Sequence, residues 1–466
     1  MEDIATATGG DVVGAAPGGA SGLRAAGVST DTRSLAPGEV FFALRGPRFD
    51  GHAFVAEAAS KGAASAVVES TDGLGGLPSG FALVVVGDTT RALGDLAARV
   101  RRQSGLPVVA ISGSSGKTTT KEMAASILSV SRKVLKTRGN LNNHIGLPLT
   151  LLGLMPEHEA AVVELGISRP GEMARLVEIA SPDVALLTNI GRAHALGLGD
   201  PEGVAEAKGE IFSGLAAGGV KAVNLDDPLI VEAARRSPGG MAGAVTFGSR
   251  GEADVRVADF RPAPDLSGST ATYDVRGERL SVRFASPAAA CAMNGAAAIA
   301  SALSLGAGPG EITGGLGAFN PLKGRMEVVR ARGMTLIDDT YNANPDSVAS
   351  ALKTLGAVNG RAGRKVVVLG DMLELGHRAE RAHREAGRMA ASIKAAVVVA
   401  VGTYAAHTAE GAVEGGVPAS EVYEFGTKEE ALGALAEIAA EGDLVLVKGS
   451  RGAELEDIVA GLSGLE

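Results

Sequence analysis

The stretch Val108 to Met123, VVAISGSSGKTTTKEM, decides the fold. The apolar run 106–112 reads as a buried strand and residues 113–116 as a Gly/Ser-rich loop. From Lys117 onward the pattern is helical, because Met123 with Ile127 and Ala124 with Leu128 recur at i, i+4. Strand, glycine-rich turn and helix N-terminus together aim backbone N–H groups at an anion, the local geometry that cradles phosphate. Gly113, Ser114, Ser115 and Gly116 supply the cradle and Lys117 a cation. Thr118 and Thr119 add hydroxyls, that of Thr118 placed to meet a Mg2+ ion. The spacing is the short form G-x-x-G-K-T-T; the longer G-x-x-x-x-G-K-[ST] would need glycine where Ile111 stands. A nucleoside triphosphate is the expected ligand.

Working outward, the runs AVVEL (161–165), VALLTNI (184–190), VKAVNL (220–225) and AVTFG (244–248) alternate with helical patterns, which predicts a parallel sheet covered on both faces. Alternation in ADVRVADF (253–260) and a hairpin pattern, ATYDV-RGE-RLSVRF (271–284), predict a small antiparallel patch appended to it, followed by an Ala-rich helix over about 288–305 and another after Pro309. Upstream, VFFAL (40–44), ASAVV (64–68) and FALVVV (81–86) with a helix over 90–103 form a smaller α/β unit. Downstream, NPLKGRMEVV (320–329) reads as a linker. MTLIDD (334–339), KVVVLGD (365–371), AAVVVAVG (395–402) and DLVLVKGS (443–450) then form a second doubly wound unit. The expected architecture is α/β in three domains. Residues 1–104 form a small α/β domain, and 105–325 a central doubly wound, mostly parallel sheet with the phosphate loop. Residues 326–466 form a C-terminal Rossmann-like domain.

Length agrees, since 466 residues at about 150 per domain give three. Lys plus Arg number 44 against 53 Asp plus Glu, a net charge of −9, and aromatic residues are 3% of the chain; both disfavour a nucleic-acid partner, which needs basic tracts and stacking platforms. The lone Cys291 cannot make an intrachain disulfide, the acidic N-terminus lacks a signal-peptide pattern, and the stretch 288–305 is broken by Asn294 and serines. A cytoplasmic protein with no membrane insertion is expected. Two groups fall where doubly wound sheets place ligands, beyond the carboxyl ends of strands: Glu164, closing AVVEL, and His194, in the loop after VALLTNI. By periodicity alone Lys208 reads as an exposed helix lysine, Arg325 as a solvated linker charge and Tyr341 as packing.

Taken together these motifs resemble the ATP-dependent Mur ligases of bacterial cell-wall synthesis. The resemblance rests on STDTRSLAPGEVFFALRG and DGH, then GSSGKTTTKEM, TRGNLNNHIGLP, VELGIS, NIGRAH and AKGEIFSGL, then NPLKGRMEVV, IDDTYNANPDS, LGDMLELG and LVKGSRG, and covers nearly the whole chain. It implies ATP-dependent amide ligation through an acyl phosphate, with small-molecule substrates, ATP and Mg2+, in a monomer. IDDTYNANPDS and LGDMLELG favour the member that adds D-alanyl-D-alanine to UDP-N-acetylmuramoyl-tripeptide over the one that adds a diamino acid to the dipeptide. A non-catalytic ATP-binding scaffold is the reading from another class. Carried over by position, Lys117 and Thr118 are the phosphate-loop lysine and Mg2+-binding hydroxyl, Glu164 and His194 are Mg2+ ligands, and Lys208 is the lysine that becomes carbamylated. Asn294 contacts adenine, Asp339 the ribose, and Arg325 the ATP phosphates. Thr32, Arg33, Arg45, Gly46, Asp50, Gly51 and His52 fall where the uridine nucleotide is held, and Thr137, Asn140, Asn142 and Asn143 near its pyrophosphate and muramoyl parts. Asn342, Asn344, Asp371, Met372 and Glu374 are the candidates for the incoming dipeptide. The chain departs from the family at Ala290 and Cys291, where His-Asn is usual, and at Ser168 and Arg169, where Asn-His is usual.

Overall fold

A computed structural model describes residues 1–14, 25–47, 49–191, 198, 200–358 and 363–464. Among these, three main sheets follow one another along the chain. The first orders its strands 11–13, 82–85, 65–68, 39–42 and 27–29, parallel except for the edge strand Asp11–Val13. Two of these, Asp11–Val13 and Gly27–Ser29, are three-residue edge strands too short to show a periodicity. The helix Thr89–Ser104 leads out of this unit and is bolted to the next. Arg101 donates from Nε to the Ala180 carbonyl at 2.9 Å and from Nη2 to Asp183 at 2.8 Å, while Arg175 reaches back to Asp95 at 2.7 Å.

The second sheet has nine strands in the order 278–284, 269–275, 255–262, 245–248, 220–224, 184–187, 108–112, 160–164, 134–136. Its strand Val108–Ser112 lies between Ala160–Glu164 and Val184–Leu187, all parallel, so the chain changes direction across the sheet at the strand that feeds the phosphate loop. That switch point opens a crevice beyond the carboxyl edge, where ligands bind in such sheets. Val109 and Ile111 face one core, shared with the helix Lys117–Leu128, and Val108 and Ala110 the other, so the strand is buried on both faces. The expected antiparallel patch is present: Val255–Pro262 pairs in parallel with Val245–Gly248 and antiparallel with Ser269–Val275, which turns at Arg276 and Gly277, both at positive φ, into Glu278–Phe284.

The third sheet orders its strands 327–331, 334–339, 444–448, 365–370, 397–401, 422–425. Here one expectation is corrected. The stretch 320–329 is not linker throughout, because Glu327–Ala331 is an edge strand antiparallel to Met334–Asp339. Arg332 and Gly333, at φ 49° and 73°, make the tight two-residue turn that closes this hairpin. The strand Leu444–Lys448 is inserted in the centre, bringing Asp339 and Lys448 side by side at the carboxyl edge. Second and third units share a continuous apolar core, with Ala297 and Phe319 in the same cluster as Leu352 and Leu355.

Candidate active site

Glycine is required at two places in the phosphate loop. Gly113 and Gly116 have φ of 139° and 77°, and a Cβ would collide with the Thr188 hydroxyl at the first and with the Asn294 side chain at the second. The loop is held from outside by Thr188 and Asn189: Ser115 N donates to Asn189 Oδ1 at 3.0 Å, and Thr188 Oγ1 donates to the Ser115 carbonyl at 2.6 Å. Sequence reasoning misses these two residues, although Asn189 opens the NIGRAH motif; their placement after the strand Val184–Leu187, next to the loop strand, is what makes them loop supports. Lys117 folds back so that Nζ donates to the Gly113 carbonyl at 2.8 Å; burial lowers its pKa, and Arg325 lowers it further against the pull of Glu164.

Beyond the loop, Glu164 and Lys208 form an unusual pair of buried groups. Glu164 is 3% exposed; Oε1 accepts from Asn142 Nδ2 at 2.8 Å, while Oε2 has no hydrogen-bond partner among the described residues. Lys208 is fully buried with Nζ also unpartnered among them. The expectation of an exposed lysine is corrected, and the signal was available: Val204, Lys208 and Ile211 recur at i, i+4, i+7, so Lys208 lies on the apolar face of the helix Pro201–Ser213. Burial pushes the Lys208 ammonium down to about 7, with repulsion from Lys117 adding to the shift and Glu164 opposing it. Buried polar atoms without partners are rare, and the unpartnered Glu164 oxygen, on a residue that lines the same cleft as the phosphate loop, marks a place for a ligand. No group of three His, Cys, Asp or Glu among the described residues could hold a metal alone. His194 lies outside the described residues.

Across the opening, Arg325 donates from Nη2 to Thr118 Oγ1 at 3.0 Å and stacks its guanidinium 3.9 Å from the centre of the Tyr341 ring. Arg325 is therefore a bridge between the phosphate loop and the third unit, and Tyr341 is its platform rather than simple packing. The Asp346 carboxylate closes in on Gly191, which has no room for a Cβ. Between these contacts lies a cleft of about 1110 Å³. It is lined by residues 114–119, Asn142, Asn143, Glu164, Cys291, Asn294, Arg325, Asp339, Asn342, Asn344 and Lys448, among others. Asn344 caps the helix Pro345–Gly356, accepting from Ser347 N at 2.9 Å.

Other candidates fall elsewhere. Thr137 is buried, its Oγ1 accepting from Glu164 N at 3.0 Å, so it fixes the backbone at the carboxylate; Asn140 is exposed, and neither lines the cleft. Asp371, Met372 and Glu374 do not line it either. Asp371 accepts from Thr403 N and Tyr404 N at 2.9 and 3.0 Å, while Met372, 2% exposed, donates its N–H to His383 Nε2 at 2.9 Å. These contacts make the two residues internal anchors of their loop. In the first unit Arg45 pairs with Asp50 and Glu69, both at 3.0 Å. His52 accepts Glu69 N on Nε2 at 2.8 Å, which leaves Nδ1 to donate to Asp50. Gly51 packs on the backbone at Ala43 and Leu44, with no room for a side chain, and Gly46 pairs with Phe49 in the short hairpin. Arg33 is exposed and paired with Asp31, and Lys61 Nζ donates to the Thr32 carbonyl at 2.9 Å.

A phosphate loop facing the carboxyl edge of a second α/β sheet across a shared cleft is the arrangement of a nucleotide-dependent enzyme working on substrates held between domains. Three family profiles match in succession: the catalytic domain of the Mur ligase family over 24–101, the Mur ligase middle domain over 111–302, and the Mur ligase glutamate ligase domain over 324–451. The chain belongs to the Mur ligase family. It is 37% identical over 437 residues to the UDP-N-acetylmuramoyl-tripeptide–D-alanyl-D-alanine ligase of Bacillus subtilis, covering 94% of this chain and 93% of the relative. Among solved structures it is similar to MurF from Acinetobacter baumannii, with a TM-score of 0.87 and 34% identity over 99% of this chain and 98% of that one. It is also similar to MurF from Thermotoga maritima in complex with ADP, with a TM-score of 0.82 and 29% identity over 95% and 97%.

Proposed function

We infer that this protein is the ATP-dependent ligase that joins D-alanyl-D-alanine to UDP-N-acetylmuramoyl-tripeptide, releasing ADP and phosphate and giving the pentapeptide precursor of peptidoglycan. The observation that carries the chemistry is the cleft in which the phosphate loop, Glu164 and the third-unit loops meet, with the buried Lys208 ammonium close enough to feel both Lys117 and Glu164. The choice of substrates is supported by likeness, along nearly the full length, to ligases named for them.

A carboxylate and an amine do not condense in water until the carboxylate oxygen is made a leaving group. The tripeptide carboxylate attacks the γ-phosphorus of ATP, forming the acyl phosphate and ADP. The amine of the dipeptide then adds to the acyl carbon, and the tetrahedral intermediate expels phosphate, leaving the amide and a proton. The N–H groups that open the helix Lys117–Leu128 and the Lys117 ammonium hold the phosphates, those of Ser114 and Ser115 being committed to Asn189; approach of that anionic charge favours the protonated lysine that burial alone disfavours. Arg325, fixed by Thr118 and Tyr341, presents a second cation to the transferring group. Asn294 over Gly116 and Asp339 are assigned to adenine and ribose.

Thr118 and Glu164, with His194 and a carbamylated Lys208, are the residues that would hold Mg2+. The unpartnered Glu164 oxygen fits this, since that ion takes one or two carboxylates and completes its shell with phosphate oxygens. The ion supplies charge neutralisation at the phosphates. Carbamylation needs a neutral amine, whose nitrogen bonds the carbon of CO2 with loss of a proton, and a lysine near 7 supplies one.

We assign residues 1–104 to the uridine nucleotide, through the 45–52 cluster with Thr32 and Arg33, residues 105–325 to ATP and 326–466 to the dipeptide, through Asn342 and Asn344 in the cleft. We take the working form to be a monomer. No helix among the described residues is long and apolar enough to cross a membrane. Our reading puts the reaction in the cytoplasm, and its use of ATP and a UDP-linked substrate supports that. Phosphate release with ATP and Mg2+ tests this reading. Release together with amide product is expected from UDP-muramoyl-tripeptide plus D-alanyl-D-alanine. Turnover only with a diamino acid and UDP-muramoyl-dipeptide would reassign the protein, and nucleotide binding without turnover would make it a scaffold.

A further inference from the structure

Lys448 ends the central strand of the third sheet, with Asp339 as its register partner on the neighbouring strand. Its side chain is 2% exposed, and Nζ donates to Asp339 Oδ2 at 2.6 Å and to the Asn342 carbonyl at 3.0 Å. Both Lys448 and Asp339 line the cleft. Burial raises the pKa of Asp339, and Lys448 is the strongest influence against that rise. The other nearby cation, Arg325, is already committed to Thr118 and Tyr341.

An ionised carboxylate offers about four acceptor positions. Lys448 occupies one on Oδ2 and Met326 N–H, at 3.2 Å, one on Oδ1. The positions left over, on a side chain 14% exposed at the cleft wall, suit two adjacent hydroxyl donors, the vicinal diol of a ribose. We propose that Lys448 is a positioning residue for the nucleotide: by pairing with Asp339 and fixing the Asn342 carbonyl, it keeps Asp339 an ionised, oriented acceptor for the ribose diol. The proposal rests on the assignment of Asp339 to the ribose. Lys448 acts through that carboxylate.

The test compares ATP with dideoxy-ATP, which lacks both ribose hydroxyls, in kcat/KM and in calorimetric Kd, for the wild type, Lys448→Met and Lys448→Arg. Hydrogen bonds to a charged acceptor predict a wild-type preference for ATP of about tenfold or more. Lys448→Met brings that preference to within about threefold, because an unpaired buried Asp339 takes up a proton and loses its strong acceptors, while Lys448→Arg retains most of it. A merely structural lysine would weaken both nucleotides equally, so an unchanged preference in Lys448→Met overturns the proposal. If the wild type itself does not distinguish the two nucleotides, the ribose assignment of Asp339 fails and the proposal fails with it. Should Lys448→Met not fold, Lys448→Gln carries the same comparison.

Discussion

A lysine sealed in the interior without a hydrogen-bond partner is destabilising as an ammonium, and the pKa of Lys208 stands near 7 against 10.5 in the unfolded chain. Between about 7 and 10.5 the unfolded state therefore binds the proton that the folded state has released, so stability rises with pH across that window, and the penalty is fully present below it. Lys208→Met is expected to flatten this rise in denaturant unfolding measured in CO2-free buffer; equal slopes for the two proteins would contradict the assignment. Lys117 makes a complementary prediction. Lys117→Ala is expected to lower kcat about a hundredfold or more while calorimetric affinity for UDP-muramoyl-tripeptide stays nearly unchanged, since the candidate uridine residues of the first unit do not line its cleft.

At the scale of elements, the phosphate loop depends on backbone conformations that only particular residues reach. Gly113→Ala would force a Cβ into Thr188 at a φ of 139°, a strain of about 1–3 kcal/mol. The expected result is loss of nucleotide-induced thermal stabilisation together with a lowered Tm. The loop 188–191 has its own anchor. Asp227 caps the helix Pro228–Arg236, accepting Leu229 N at 3.1 Å, and its other oxygen accepts Ile190 N at 2.7 Å. Asp227→Ala is expected to cost about 1–2 kcal/mol in urea unfolding, from the cap and the stranded amide together.

At the scale of the whole molecule, second and third units are joined by the shared core and by hydrogen bonds, one of them in the cleft. Arg325 reaches Thr118, Thr354 Oγ1 accepts from Ala289 N at 3.2 Å, and Arg330 donates to the Asp265 carbonyl at 2.7 Å. Closure of this kind keeps water from an acyl phosphate and brings reactants within attack distance. Arg325→Ala is expected to reduce kcat about a hundredfold, and Arg325→Lys to recover little, because a point charge reproduces neither the bond to Thr118 nor the stack on Tyr341. Steady-state ligation assays with all three substrates check both.

Local pattern and tertiary packing part company at this same scale. Periodicity and turn chemistry act over neighbouring residues, so they located the phosphate loop, the strand Met334–Asp339 to the residue, and the helix over Ala290–Leu303 within two residues of its ends. The family motifs extended that reading to the chemistry. Short edge strands such as Val134–Lys136 and Val422–Phe425 were hidden because three or four residues carry no usable period, and Glu327–Ala331 because its hairpin depends on a non-glycine residue, Arg332, at positive φ. The site's inner workings were decided only in three dimensions. That Asn142 and Thr137 serve Glu164, that Asp371 anchors its own loop, and that Lys448 meets Asp339 are contacts between residues distant in sequence. Such contacts depend on strand order, and strand order is set by how the helices and sheets bury their apolar faces against one another, which no local pattern records.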